Sequence, residues 1–125
     1  MKTVITTDKA PAPIGPYSQA IESGGFLFCS GQIPINPTNN QVLTGPVEEQ
    51  AKQVMENIKA VLTKAGLGFQ NIVKTTIYLV DMNDFATVNE VYGKYMTEQP
   101  PARTTIAVAG LPKAVRVEIE VLAKR

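Results

Sequence analysis

The sequence predicts an α+β domain in which two amphipathic helices cover one face of a mixed sheet of about six strands, in the order β-β-β-α-β-α-β-β. Three observations lead there. Two stretches, after Pro46 and after Asn83, repeat apolar residues at spacings of three and four. Several shorter runs are rich in β-branched and aromatic residues. The last run, Val115 to Ala123, alternates strictly between apolar and polar positions. With 125 residues, 44% of them hydrophobic, and no linker-like run or repeat, the chain reads as one domain spanning 1–125.

Thr3 to Thr6 is a short strand candidate. The passage holding Pro11, Pro13 and Pro16 cannot be regular helix or central strand. Tyr17 to Glu22 and Phe26 to Ser30 flank Ser23-Gly24-Gly25, a hairpin signal. Gly31 to Gly45, with Pro34, Pro37 and Asn39-Asn40, reads as loop. The first helix starts at Pro46, favours Glu48 and Glu49 in its first turn, and closes at Gly66 and Gly68. Its stripe is Val47, Ala51, Val54, Met55, Ile58, Val61, Leu62 and Ala65. Ile72 to Val80 is a strand. Asn83 or Asp84 can cap the second helix, whose stripe is Phe85, Val88, Val91, Tyr92, Tyr95 and Met96 and which Pro100-Pro101 stops. Arg103 to Val108 is a strand, Gly110 to Lys113 a turn, and Val115 to Ala123 the last strand. There Val115, Val117, Ile119, Val121 and Ala123 face the helix-covered core. Arg116, Glu118, Glu120 and Lys124 take the other face with Leu122, and that face must meet solvent or another subunit.

Composition removes whole classes of function. Twelve Lys+Arg against eleven Asp+Glu leave a net charge of +1, which offers nucleic acid or an anionic membrane no footprint. The N-terminal apolar stretch falls far short of a signal-peptide core or a membrane span. A single cysteine fits a reducing compartment, so the expected location is cytoplasmic. No histidine is present, which takes away the commonest general base and zinc ligand; one cysteine cannot build a thiolate cluster. No Gly-rich phosphate loop occurs. No metal and no cofactor is expected, and any chemistry rests on carboxylates, arginine, lysine, hydroxyls, backbone amides and water.

Arg103 follows Pro100-Pro101-Ala102, a stiff approach that limits where its guanidinium points. A fixed guanidinium suits bidentate capture of a carboxylate. An ion pair with Glu118 or Glu120, or plain solvation, is the competing arrangement. Glu118 and Glu120 share one strand face about 7 Å apart. Either carboxylate beside a water could serve as acid or base, and either could be an ordinary exposed residue. Gly15 to Gln19 and Cys29 to Pro34 are turn-rich strand ends that could line a pocket or simply turn the chain. Cys29 reads as packing, not as a nucleophile.

Taken in order, Gly15-Pro16-Tyr17-Ser18-Gln19, Ser30-Gly31-Gln32-Ile33-Pro34, Val73-Lys74-Thr75-Thr76, Asp84 to Asn89, Pro101-Ala102-Arg103 and Leu111-Pro112-Lys113 with Val117-Glu118-Ile119-Glu120 resemble the Rid family (reactive intermediate deaminases, also called YjgF), RidA subgroup. The resemblance runs from about Thr7 to Ala123. It implies a chorismate-mutase-like fold assembled as a homotrimer, with sheets forming a central barrel and clefts at the subunit interfaces. It also implies hydrolysis of imines and enamines such as 2-aminoacrylate to 2-keto acids and ammonia. Carried over by motif, Arg103 would clamp the substrate carboxylate and Glu118 would position the attacking water and move a proton. Tyr17, Ser30, Gly31 and Asn89 would line or shape the cleft, and Pro112 would be a structural turn residue. Where the subgroup often reads Arg-Ser-Cys, this chain has Arg103-Thr104-Thr105, which rules out an essential thiol at Thr105 but leaves its carbonyl able to hold water. Ile106 to Gly110 also lacks a glutamate and an arginine often found there. The alternative expectation is a non-catalytic module that senses a keto acid or similar carboxylate; a ribonuclease fits the charge and the missing histidine least.

Overall fold

The computed structural model describes residues 1–125. Its strands are β1 (Thr3–Ile5), β2 (Ala20–Ser23), β3 (Phe26–Cys29), β4 (Ile35–Asn36), β5 (Gln41–Val42), β6 (Ile72–Leu79), β7 (Ala102–Ala107) and β8 (Val117–Lys124). Two helices, α1 (Val47–Lys64) and α2 (Phe85–Tyr95), complete the α+β architecture. Six strands form one sheet in the order β1-β2-β3-β8-β6-β7. Only the β6–β7 pair is parallel, because α2 carries the chain back between them.

One face of β2, β3, β6 and β8 packs under the helices. Leu27, Ile77, Leu79, Val117, Ile119, Val121 and Ala123 from the sheet meet the α1 stripe and Val88, Val91 and Tyr92 of α2 in a core of 22 buried residues. Helix α1 ends as its glycine requires. Gly66 takes φ +76, its N–H donates to the Thr63 carbonyl, and the Leu67 N–H donates to the Leu62 carbonyl at 2.9 Å. The register from β3 through β8 and β6 to β7 puts Val4, Ile21, Phe28, Leu122, Thr76, Tyr78, Glu118, Glu120, Thr104 and Ile106 on the opposite face, which nothing in the chain covers. On it Val4 and Phe28 remain about half exposed. No helix is long and apolar enough to cross a membrane.

The structure corrects four details. The segment Gly31 to Gly45 is not all loop: β4 and β5 pair across a turn in which Asn36 and Asn39 side chains accept from the Thr38 and Gln41 N–H groups, and Asn40 takes φ 60. The second strand begins at Ala20, not Tyr17. The Ser30 N–H bonds the Gln19 carbonyl and the Ser30 hydroxyl bonds Ser18, so that corner is held without a ladder. The last strand begins at Val117. Lys113 and Ala114 both have positive φ, which swings Val115 away from the main core into a small cluster with Ile33 and Ile35. Asp84 stands at the N-cap of α2 without capping it. Its buried carboxylate instead takes a bidentate bond from Arg116, at 3.1 and 2.6 Å, while the Arg116 N–H donates to Gln50 on α1.

Candidate active site

The seven residues singled out in the sequence fall into two groups. Arg103 lies on β7, the edge strand, opposite Thr75 of β6. Thr75 is fully buried and its hydroxyl shares a 2.8 Å bond with Tyr92 Oη, so this position faces α2. The exposed Arg103 guanidinium lies against that helix. Its Nη1 donates to Asn89 Oδ1 at 2.7 Å, and its Cζ lies 5.1 Å from the Tyr92 ring centroid and 5.6 Å from that of Phe85. Phe85, Asn89 and Tyr92 are spaced i, i+4 and i+7, so one stripe of α2 grips one cation. No acid of the chain pairs with it. The anticipated ion pair with Glu118 or Glu120 is therefore not made. Thr105, two residues on, keeps its hydroxyl buried without a hydrogen-bond partner.

Glu118 lies on the uncovered face of β8, in register with Tyr78. Tyr17, Ser30, Gly31 and Glu118 gather with Ile14, Ile33 and Pro112 around a cleft of about 340 Å³. Each is held by local structure. Buried Gln19 ties the proline-rich loop down: its Oε1 accepts from the Thr7 N–H at 2.7 Å and its Nε2 donates to the Pro11 carbonyl at 2.8 Å. Tyr17 Oη accepts from the Ile14 N–H at 3.3 Å, which closes the loop tip over the cleft. Gln32 bridges Ile119 through both backbone groups, bringing Gly31 beside Glu118. A Cβ on Gly31 would run into Glu118 Oε2 and lie 2.9 Å from its Cδ, so this position needs glycine for close approach, not for its dihedral freedom. Burial, and after it the neighbouring Glu120 charge, push the Glu118 carboxyl above its usual value. Glu120 is in turn held by the Tyr78 hydroxyl, which donates to Oε1 at 2.6 Å.

Arg103 and Glu118 do not share a cavity within one chain. They sit two strands and three register positions apart, roughly 14 Å between backbones, and on opposite faces of the sheet. Tyr17, Ser30 and Gly31 go with Glu118; Asn89 goes with Arg103. Sequence reading missed Phe85 and Tyr92 as partners of the arginine, because their helical spacing is equally that of a core stripe. It also took Pro112 as a turn residue only, whereas it lines the Glu118 cleft. Cys29 packs against the core as expected, and burial pushes its thiol up to about 12.

A family model described as Endoribonuclease L-PSP matches residues 7–125. The chain belongs to the Rid (YjgF/L-PSP) family. Its Rid relatives include a RutC family protein of Pyrococcus horikoshii, 54% identical over 98% of both chains. The 2-iminobutanoate/2-iminopropanoate deaminase of Mus musculus is 49% identical over 98% of this chain and 90% of that protein. Among solved structures, a protein of the conserved Rid family from Yersinia pestis superposes with a TM-score of 0.97 at 48% identity, covering all of both chains. The α+β fold expected from the sequence is thus the fold of Rid proteins.

Proposed function

We propose that this Rid protein hydrolyses 2-imino acids and their enamine tautomers to 2-keto acids and ammonia, at sites each assembled from two copies of the chain. The observation that carries this is Arg103: a cation aimed by Asn89 and two aromatic faces, with no acid to satisfy it. A guanidinium so held is matched by a planar carboxylate from outside the chain. Glu118 and its cleft, on the other sheet face, supply the second half. Support for bringing the halves together is the uncovered face itself, where Val4, Phe28 and Ile106 are 55%, 51% and 40% exposed beside Ile21 and Leu122. A homotrimer, in which three such faces close on one another and leave three clefts, meets that need.

In this reading Arg103 of one copy holds the substrate carboxylate beside Glu118 of the next. Water adds to the imine carbon and gives one proton to Glu118. Glu118, now protonated, returns that proton to the nitrogen, the C–N bond breaks as the C=O forms, and ammonia leaves carrying the last proton. An enamine first takes a proton at its terminal carbon to become the imine. A carboxyl whose proton affinity is raised toward neutrality can both take and return a proton. Imine hydrolysis is a facile reaction in water, and positioning plus one acid–base group supplies the modest barrier lowering required.

The test is intersubunit complementation. Arg103→Ala and Glu118→Ala proteins are each expected to be inactive in a keto-acid release assay coupled to a dehydratase. Co-expressed as mixed oligomers, they regain activity because some clefts then combine intact halves. Full activity in either variant alone would sink the deaminase reading. Two dead variants that fail to complement would sink the shared site. The family description Endoribonuclease L-PSP points to ribonuclease activity; RNA cleavage surviving in Glu118→Ala would favour that reading instead.

A further inference from the structure

Arg103 stands on β7, an edge strand that only β6 holds, so its direction comes from Phe85, Asn89 and Tyr92 of α2. The clamp is therefore only as well placed as the start of that helix. No side chain caps it. What ties it down is Asp84, the residue before Phe85, which is 7% exposed and whose carboxylate takes two bonds from Arg116 at 3.1 and 2.6 Å. A planar fork that holds a carboxylate through two parallel bonds sets direction as well as distance.

Arg116 is itself fixed through its backbone. Its N–H donates at 2.9 Å to Oε1 of buried Gln50, whose Nε2 donates at 3.0 Å to the Gly45 carbonyl ahead of α1. Its carbonyl accepts from the Val80 N–H at 3.4 Å. Two residues on, about 7 Å along the chain, is Glu118. The other ion pairs lie within α1 and between Arg125 and Glu22, so Asp84–Arg116 is the one that joins the carriers of the two half-sites. We propose that Asp84 and Arg116 are positioning residues for the hydrolysis: their ion pair sets the Arg103 clamp through α2 and the Glu118 carboxyl through β8, and so aligns two neighbouring clefts from one chain. This rests on the deaminase reading and the shared site above.

The experiment uses mixed oligomers of Arg103→Ala and Glu118→Ala chains. Their working cleft takes its clamp from the Glu118→Ala chain and its carboxyl from the Arg103→Ala chain. Arg116→Lys, which keeps the charge and loses the fork, is added to one chain at a time and imine hydrolysis is measured. In the clamp-supplying chain it is expected to raise KM about tenfold with little change in kcat. In the carboxyl-supplying chain it is expected to lower kcat about tenfold with little change in KM. A merely structural ion pair lowers Tm and moves neither constant of the folded protein. Constants unmoved with the substitution in either chain overturn the positioning role and leave the deaminase standing, as does the same pattern whichever chain carries it. Should Arg116→Lys not fold, Asp84→Asn takes its place, since it leaves no buried charge unpaired, and the same two patterns are expected. Failure of the starting pair of chains to regain activity removes the shared site and this proposal with it.

Discussion

The role of Arg103 can be separated from a structural one by changing a residue beside it. Asn89→Asp is nearly isosteric and keeps an oxygen where Oδ1 now accepts from Arg103 Nη1 at 2.7 Å. It strengthens that bond by making it charge-assisted, which for an exposed pair is worth about 0–1 kcal/mol of stability. For a structural arginine the substitution is neutral or helpful. For a carboxylate clamp it is harmful, because the new charge sits about 5 Å from where a substrate carboxylate must dock. At an effective dielectric of about 20, two like charges at that distance repel by about 3 kcal/mol, and screening at an exposed site reduces this to about 2. The expected consequence is a fall in kcat/KM of about 30-fold. Asn89→Ala removes the bond without adding charge, so its loss should be the smaller of the two. The assay is imine hydrolysis at low and at high salt, with added salt partly rescuing Asn89→Asp and not Asn89→Ala. An Asn89→Asp enzyme as active as wild type would refute the clamp.

Three further outcomes follow from the geometry. Gly31→Ala forces Glu118 aside, because the new Cβ would lie 2.9 Å from its Cδ; activity should fall about 100-fold while circular dichroism stays native, since a displacement near 1 Å is enough for that. Glu118→Gln should raise Tm at neutral pH. A carboxyl whose folded pKa lies above its usual 4.5 makes the native state lose stability as pH climbs through the interval between the two, so scans should converge near pH 3 and separate above it. Thr105→Val replaces a buried, unbonded hydroxyl by a methyl and should stabilise by about 1 kcal/mol, or about 4 °C in Tm. A lower Tm would mean that the hydroxyl finds a partner in the assembled protein.

The reach of the sequence follows from the range over which its signals act. The two helices were legible because their stripes repeat within a few residues, and β8 because its alternation is local; the structure puts those stripes in the core. The β4–β5 hairpin was not, since its strands are two residues long and depend on Asn36 and Asn39 side chains closing the turn. The break in the chain before Val117 was hidden because nothing in Lys113-Ala114 advertises two positive φ values in a row. Local rules also misplaced Asp84, whose partner Arg116 lies 32 positions away.

By itself, then, the sequence narrowed the candidates for chemistry: a chain without histidine puts arginine and carboxylate forward, and the motif blocks single out Arg103 and Glu118. Only the tertiary structure decided that one chain keeps them apart. The strand parity of β8 turns Glu118 to the uncovered face, while parallel pairing of β7 with β6 turns Arg103 under α2. Residue identity is written along the chain. Which face of a sheet a residue meets depends on register with strands far away in sequence, which no local pattern encodes.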